Sequence, residues 1–382
     1  MRIAFDLRRI KNPGIGRYMK CLVEAVVAQA PDHEYLLILP AGAEEMVRLP
    51  EGRGRKLPST LKYYSFREQV ELPRLLRRHE IELFHSPHFM LPLLRPCPCV
   101  ITIHDVIYLA CPEDLPSYLG RLYYRFMMNA AARRAVRIVT DSRFSKEDIV
   151  RFLNVDPSRI QVVYCGVDAN FYPVTDPLRL EAVRARYGIE RDYILYTGIY
   201  KPRKNHSVLL KAFQRFVAAG GNAQLVLAGP VNNKEEGKYE AGLKALASGL
   251  GIASQVVFAG FVPEADLPAL YSAASLYACP SLYEGFGFTV LEAMACGTPV
   301  VCSRAASLPE VAGDAALYAD AADPDAFAEA LYRGFTDLQL RRNLVEKGRL
   351  NRQRFSWEEA ARQTLAVYRE AVYGPAGKAV AL

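Results

Sequence analysis

Along the chain, short apolar runs of strand length alternate with stretches whose apolar positions recur at helical spacing. In the first half the runs are 2–7, 35–39, 83–85, 100–104, 138–141 and 160–164. Between them lie amphipathic stretches such as 66–79, where Val70, Leu72, Leu75 and Leu76 fall near one helix face. Hairpin signals are few, so the alternation predicts a parallel, doubly wound sheet. The stretch 168–177 lacks periodicity and holds Pro173 and Pro177, which marks it as a linker. A second series of runs follows at 193–197, 223–227, 256–259, 276–279, 299–302 and 317–319, with helical patterns at 208–219 and 267–274. A last helix is expected from Trp357 to about Tyr373, with Ser356 as its N-cap and Glu359 completing a capping box. The Ala- and Gly-rich residues after it are expected to fray.

This pattern predicts an α/β protein of two Rossmann-like doubly wound domains, 1–172 and 173–356, with the segment 357–382 crossing back to the first. The length of 382 residues agrees, at roughly 150 residues per domain. Two such halves predict a cleft between them, with ligands beyond the carboxyl ends of the strands.

Composition narrows the class without naming a function. With 51% hydrophobic and 23% charged residues the chain reads as globular, which excludes collagen-like, disordered and coiled-coil proteins. No apolar run is long enough to span a bilayer. The start, MRIAFDLRR, reads as a first strand and not as a secretory signal. Eight cysteines with only Cys97 and Cys99 closely spaced form no zinc or disulfide framework, which points to a reduced, cytoplasmic setting. The net charge of +7 is uneven: residues 1–190 hold 28 basic against 22 acidic side chains, and the rest 20 against 19. That bias fits an anionic substrate, an anionic membrane surface at the inner face, or solubility alone.

The segment PSLYEGFGFTVLEAMACGTPVV, residues 280–301, carries the most chemistry. A strand ends near Cys279, a glycine-containing turn covers 284–287, and a helix begins near Thr289. Such a turn aims backbone N–H groups and a positive helix end at one spot, which suits a phosphate. Glu284 on the turn and Glu292 in the helix point to hydroxyl-bearing neighbours, such as a sugar and a ribose flanking a diphosphate. A capped helix with two solvated carboxylates fits the spacing equally. After the strand at 193–197 stand Lys201, Arg203 and Lys204, which either neutralise a leaving diphosphate or form an exposed basic turn. The loop Asn12-Pro13-Gly14-Ile15-Gly16-Arg17 superficially matches a dinucleotide fingerprint, but Met19 stands at the third glycine, which weakens a nicotinamide reading. Asp323 and Asp325 form an Asp-x-Asp pair before an alanine-rich helix, where Asp323 is expected as N-cap and not as metal ligand.

EGFGFTVLEAMACGTPVV, with its Glu-x7-Glu spacing, closely resembles the signature of glycosyltransferase family 4, retaining enzymes of the GT-B fold. The resemblance extends to SLPEVAGDAALYADAADPDAFAEAL at 307–331, TIHDVIYLACPE at 102–113, IVTDSRFSKEDI at 138–149 and YTGIYKPRKNHSVLLKAF at 196–213. It implies that Glu284 lies at the transferred sugar and that Glu292 holds the donor ribose. Gly287 and Phe288 would place amides on the diphosphate, with Gly285, Phe286, Thr289, Gly198 and Val262 also on the donor side. Many members carry an Arg directly after the Gly of the strand at 193–197; here Ile199 follows Gly198, so Arg203 would supply the charge beside Lys204. Gly14, Gly16 and Arg17 would approach the donor phosphates. His104 would stand near the transferred sugar with Asp105 orienting it, and Ser142 would serve the donor.

The resemblance also implies a retaining transfer with neither metal nor cofactor. The donor would be a nucleotide-diphosphate sugar on the second domain, GDP-mannose first and a UDP-sugar second. The acceptor would be a saccharide, a lipid-linked or a small molecule on the first domain, and no nucleic acid is involved. Rival readings are an epimerase or hydrolase of the same architecture, a dehydrogenase, and a nucleotide-sugar-binding module without turnover. Tyr63, Tyr64, Phe66 and Arg67, and the stretch 118–126 with Arg121 and Arg125, are candidates for a lipid-linked acceptor or a peripheral membrane edge.

Overall fold

The computed structural model describes residues 1–374 other than Pro13, Tyr64 and Pro116. Those three positions and the tail at 375–382 therefore lie outside the described residues. The chain divides into two compact units: Met1–Gly166 together with the segment from Phe355 onward, and Val167–Arg354.

The first unit is built on seven strands: β1 (Arg2–Asp6), β2 (Glu34–Pro40), β3 (Arg55–Ser59), β4 (Leu83–Ser86), β5 (Cys99–Thr102), β6 (Arg137–Thr140) and β7 (Ile160–Val162). Their order is β3-β2-β1-β4-β5-β6-β7, and every pair is parallel. Because parallel neighbours need crossovers, helices cover both faces and the central strands are largely apolar, with Asp6, His85, Ser86 and Thr102 as buried polar residues. The order in which strands are added reverses between β1 and β4, which puts the switch point above the ends of those two strands. The strand β3 has no counterpart in the predicted runs. Its sequence, RKLPS, is charged and contains a proline, which an edge strand tolerates and a pattern search passes over. The run expected at 100–104 stops at Thr102, so His104 stands two residues beyond the strand.

The helix Trp357–Tyr373 packs on this unit against the helix Ile15–Gln29, β4, β5 and β6. Tyr368 is fully buried there, and its hydroxyl lies 2.6 Å from His85 Nδ1. Gly166 admits the start of this helix, since a Cβ at that position would come 2.3 Å from Trp357 N. Ser356 Oγ accepts from the Glu359 N–H at 3.1 Å, as the capping pattern predicts. The Glu359 carboxylate turns instead to Arg362 and Gln363, so only half of the capping box forms.

The second unit holds β8 (Tyr193–Thr197), β9 (Gln224–Ala228), β10 (Val256–Gly260), β11 (Leu276–Cys279), β12 (Val300–Ser303) and β13 (Ala316–Ala319). The order is β10-β9-β8-β11-β12-β13, again wholly parallel, with its switch point between β8 and β11. Close packing at the strand ends depends on glycine. A Cβ on Gly229, just past β9, would lie 1.8 Å from the Gly198 carbonyl oxygen just past β8. All eight cysteines are free thiols. Among the described residues, no helix is long and apolar enough to cross a membrane.

Candidate functional site

In the second unit, the loop after β11 and the turn after β8 meet above the switch point. The turn Pro202–Lys204 is a single 3-10 turn that ends on Asn205 in the left-handed conformation, φ 59°. Asn205 donates to the Pro280 and Ala321 carbonyls at 3.2 and 2.7 Å, which ties the turn to the loop. The Leu282 amide donates to the Arg203 carbonyl at 2.8 Å, and the Arg203 guanidinium reaches the Tyr283 carbonyl at 3.4 Å. Lys204 Nζ then meets Glu284 Oε1 at 2.6 Å. Burial by itself would raise the Glu284 carboxyl; Lys204 and Arg203 outweigh it and hold the group below its ordinary value. Ser307 fixes the other side of the loop by donating to the Glu284 and Phe286 carbonyls, each at 2.8 Å.

The helix that follows is Phe288–Ala295, and Gly287 is its N-cap at φ 106°. A glycine has no side chain to cap the helix with, and any other residue would be strained at that φ. Glu292 faces inward and is 5% exposed, so it is not a solvated helix carboxylate. Tyr271 OH donates to Glu292 Oε2 at 2.9 Å, and the same phenol lies 2.6 Å from Thr197 Oγ1 at the end of β8. Gly198, at φ 151°, and Gly285, Phe286 and Thr289 belong to these same two segments. Val262 lies two residues past β10 and is buried.

The basic turn carries less free charge than its sequence suggests. Lys201 turns away toward Glu236, 4.0 Å distant, and Lys204 is paired with Glu284. Two of the expected trio of cations are therefore turned to carboxylates, and Arg203 reaches a carbonyl. Asp323 caps the helix Pro324–Thr336, accepting from the Asp325 and Ala326 amides, while Asp325 pairs with Arg215. Among the described residues no group of three or more His, Cys, Asp or Glu is arranged to hold a metal ion.

In the first unit, His104 stands past the end of β5. Its Nδ1 lies 2.6 Å from Asp141 Oδ2, and its Nε2 lies 3.3 Å from the Pro87 carbonyl oxygen. Both partners only accept, so the geometry suits a ring protonated on both nitrogens. Burial opposes that charge, but the Asp141 carboxylate overcomes it and raises the group above its ordinary value. Asp105, expected to orient His104, adds its negative charge to the surroundings of the ring. The hydrogen-bonding carboxylate comes from the end of β6, while Asp105 Oδ1 accepts from the Ile107 amide at 3.0 Å. Asp141 had no role in the sequence reading because its partner is on another strand.

Among the other first-unit candidates, Ser142, Gly14 and Gly16 each also have a local structural role. Ser142 Oγ caps the helix Arg143–Leu153, accepting from the Ser145 amide at 2.9 Å. Gly14 is the N-cap of the helix Ile15–Gln29 at φ 75°. Gly16 is required by packing, since a Cβ there would lie 1.9 Å from the Ile10 carbonyl oxygen. Arg17, one residue on, is partly exposed. A buried cluster that sequence reading missed lies at the end of β1. Arg8 meets Asp6 at 2.7 Å and Glu68 at 2.5 Å, and Tyr63 donates to Asp6 at 3.1 Å.

Comparison with known proteins gives the family and the fold. Residues 181–351 match the family described as glycosyl transferases group 1, and residues 13–171 match Glycosyltransferase Family 4. The chain is 31% identical to the O-antigen chain mannosyltransferase B of Escherichia coli, over 97% of this chain and 100% of that protein. It is 36% identical to a D-inositol 3-phosphate glycosyltransferase of Salinispora arenicola, over 63% of this chain and 56% of that one. Among solved structures, Anabaena Alr3699/HepE in complex with UDP and glucose superposes with a TM-score of 0.76 at 21% identity, covering 96% of this chain and 99% of that chain. Sucrose-phosphate synthase from Thermosynechococcus elongatus superposes at 0.77 and 22%, covering 97% and 98%.

Proposed function

The chain belongs to glycosyltransferase family 4 and is a GT-B glycosyltransferase, and from that premise we propose that it moves mannose from GDP-mannose to a saccharide or lipid-linked acceptor with retention. The second unit binds the donor and the first binds the acceptor. The observation that carries this reading is the Lys204–Glu284 pair locked onto the turn–loop junction, with the Gly287 helix end beside it in sequence. Arg203, Lys204 and the amides of Gly287 and Phe288 take up negative charge on the diphosphate as the anomeric C–O bond breaks. The acceptor oxygen forms its bond to the anomeric carbon on the same face, and its proton passes to the departing phosphate oxygen. The protein cations stabilise the leaving charge in this scheme, so transfer is expected to persist in a chelator.

Glu284 positions the sugar, and Glu292, held by Tyr271, takes the ribose hydroxyls. His104, with both ring nitrogens facing protein acceptors, contributes positive charge beside the transferred sugar and does not act as a base. Mannose is supported by the Escherichia coli mannosyltransferase, which aligns along nearly the whole chain.

A thermal-shift series with GDP-mannose, UDP-glucose and UDP-N-acetylglucosamine tests the donor, because a ligand of the folded state raises the midpoint by mass action. GDP-mannose should give the largest shift, and a larger shift with a UDP-sugar would overturn the choice. Product analysis with and without acceptor tests the reaction. Free sugar or an epimer formed equally without acceptor would replace transferase by hydrolase or epimerase.

A further inference from the structure

His104 is held at its two ring nitrogens by Asp141 and the Pro87 carbonyl, and a further side chain meets its ring. Tyr18, on the helix Ile15–Gln29, stands perpendicular to the imidazole, with an interplanar angle of 88° and ring centroids 4.6 Å apart. The helix Trp357–Tyr373 reaches Tyr18 by two routes. Trp357, at its start, packs on the Tyr18 ring at 5.9 Å and 65°. The second route runs through hydrogen bonds. The Tyr18 hydroxyl lies 3.0 Å from Thr102 Oγ1 at the end of β5, and Thr102 Oγ1 lies 3.0 Å from His85 Nε2. His85 Nδ1 in turn lies 2.6 Å from the Tyr368 hydroxyl.

Tyr18, Thr102, His85 and Tyr368 are all buried, so this is a continuous polar chain through the core of the first unit. Burial, aided by the charge of His104, pushes His85 down to about 3; its ring is neutral, with one donating and one accepting nitrogen. Burial also keeps the Tyr18 phenol protonated, and the Asp141 carboxylate adds to that. Deleting one hydroxyl leaves its neighbour buried and short of a partner, so the chain responds as a unit. Phenylalanine at positions 18 and 368 would fill the same space without burying polar groups. Packing alone has no use for such a chain, whereas a ring that must be held in one place does.

We propose that Tyr18 is a positioning residue for His104, and that Tyr368 acts on the same imidazole from the helix Trp357–Tyr373 through His85, Thr102 and Tyr18. Its effect on transfer rests on the placing of His104 beside the transferred sugar; its effect on the imidazole rests on geometry alone. Histidine NMR and steady-state kinetics on the full chain separate the two. Tyr18→Phe and Tyr368→Phe keep both rings and delete one hydroxyl each. Thr364→Val deletes another fully buried hydroxyl of the same helix, outside the chain, and is the control. Both tyrosine variants should displace the His104 ring resonances, Tyr18→Phe by more, and Thr364→Val should not. Transfer at saturating donor and acceptor should fall by about tenfold in Tyr18→Phe and about threefold in Tyr368→Phe, with the donor KM unchanged. The double variant should lose about tenfold and not about thirtyfold, since both changes act through one ring. Thermal unfolding reports that each variant is folded, and Thr102→Val interrupts the same chain if Tyr368→Phe is not. Unmoved His104 resonances in the folded tyrosine variants would overturn the proposal, as would an equal displacement by Thr364→Val or rate losses that multiply. Displaced resonances with a wild-type rate would keep Tyr18 as the residue that holds the ring and remove His104 from the reaction.

Discussion

Deleting the charge of Lys204 should cost both stability and transfer, and the two effects are separable. The Lys204 and Glu284 side chains are 14% and 13% exposed and meet at 2.6 Å. At an effective dielectric of about 20, unit charges about 4 Å apart attract by about 4 kcal/mol, and desolvation offsets much of that. Removing one partner leaves the other buried and uncompensated, at a cost of about 3 kcal/mol. Lys204→Met keeps the apolar stem and loses the charge, so its unfolding midpoint should fall by about 9 °C for a unit of this size. Glu284→Gln should cost a similar amount. The double variant should cost about 3 kcal/mol and not about 6, which is a coupling energy of about 3 kcal/mol. Urea unfolding of the four proteins measures this cycle. The Glu284 carboxyl is held below its ordinary value of 4.5, so its contribution to stability is present above that pH and is lost as pH falls through the folded value. Lys204→Met should flatten that acid limb. Transfer at saturating donor should drop by about a hundredfold or more in folded Lys204→Met. Single-variant costs that simply add, to within about 0.5 kcal/mol, would refute the coupled pair, and a wild-type rate would remove Lys204 from the reaction.

Three further outcomes are expected. Asp141→Asn should lower the His104 pKa, which Asp141 raises in the folded protein, and a histidine NMR titration that leaves it unmoved would dismiss Asp141 as the positioning carboxylate. Tyr271→Phe removes a phenol donor from Glu292 and should weaken donor binding by about tenfold in calorimetry, with a smaller effect on the rate at saturation. His206, enclosed by Tyr196, Tyr200 and Tyr239, is pushed down to about 3 by burial and by Lys204. Its folded value lies below its unfolded one, so the unfolded chain takes the proton first as pH falls. The second unit should therefore lose about 2 kcal/mol between pH 6.5 and 5, a slope that His206→Phe removes.

The architecture was legible because burial on both faces of a parallel sheet writes itself into the chain as apolar runs, and β8 and β11 fall where those runs lie. The edge strand β3 was not legible, since half of its environment is solvent and its residues are chosen for that. Caps were legible where one local hydrogen bond defines them, as at Ser356 and Asp323. The second half of the Ser356 capping box failed because Arg362 offered Glu359 a charged partner.

By itself, the sequence singled out the candidate segments: the glycine-bearing loop at 284–287, the Lys201–Lys204 turn, and the polar groups that follow apolar strands. Local covalent order suffices for that, because strand, turn and helix start are neighbours along the chain. Only the tertiary structure decided which charges are paired. Lys204 meets Glu284 eighty residues away, Lys201 is diverted to Glu236, Glu292 is held by Tyr271, and His104 takes its carboxylate from Asp141 on the adjoining strand rather than from Asp105 beside it. Strand order brings these partners together. Electrostatic energy depends on distance and burial, and neither is set by separation along the chain.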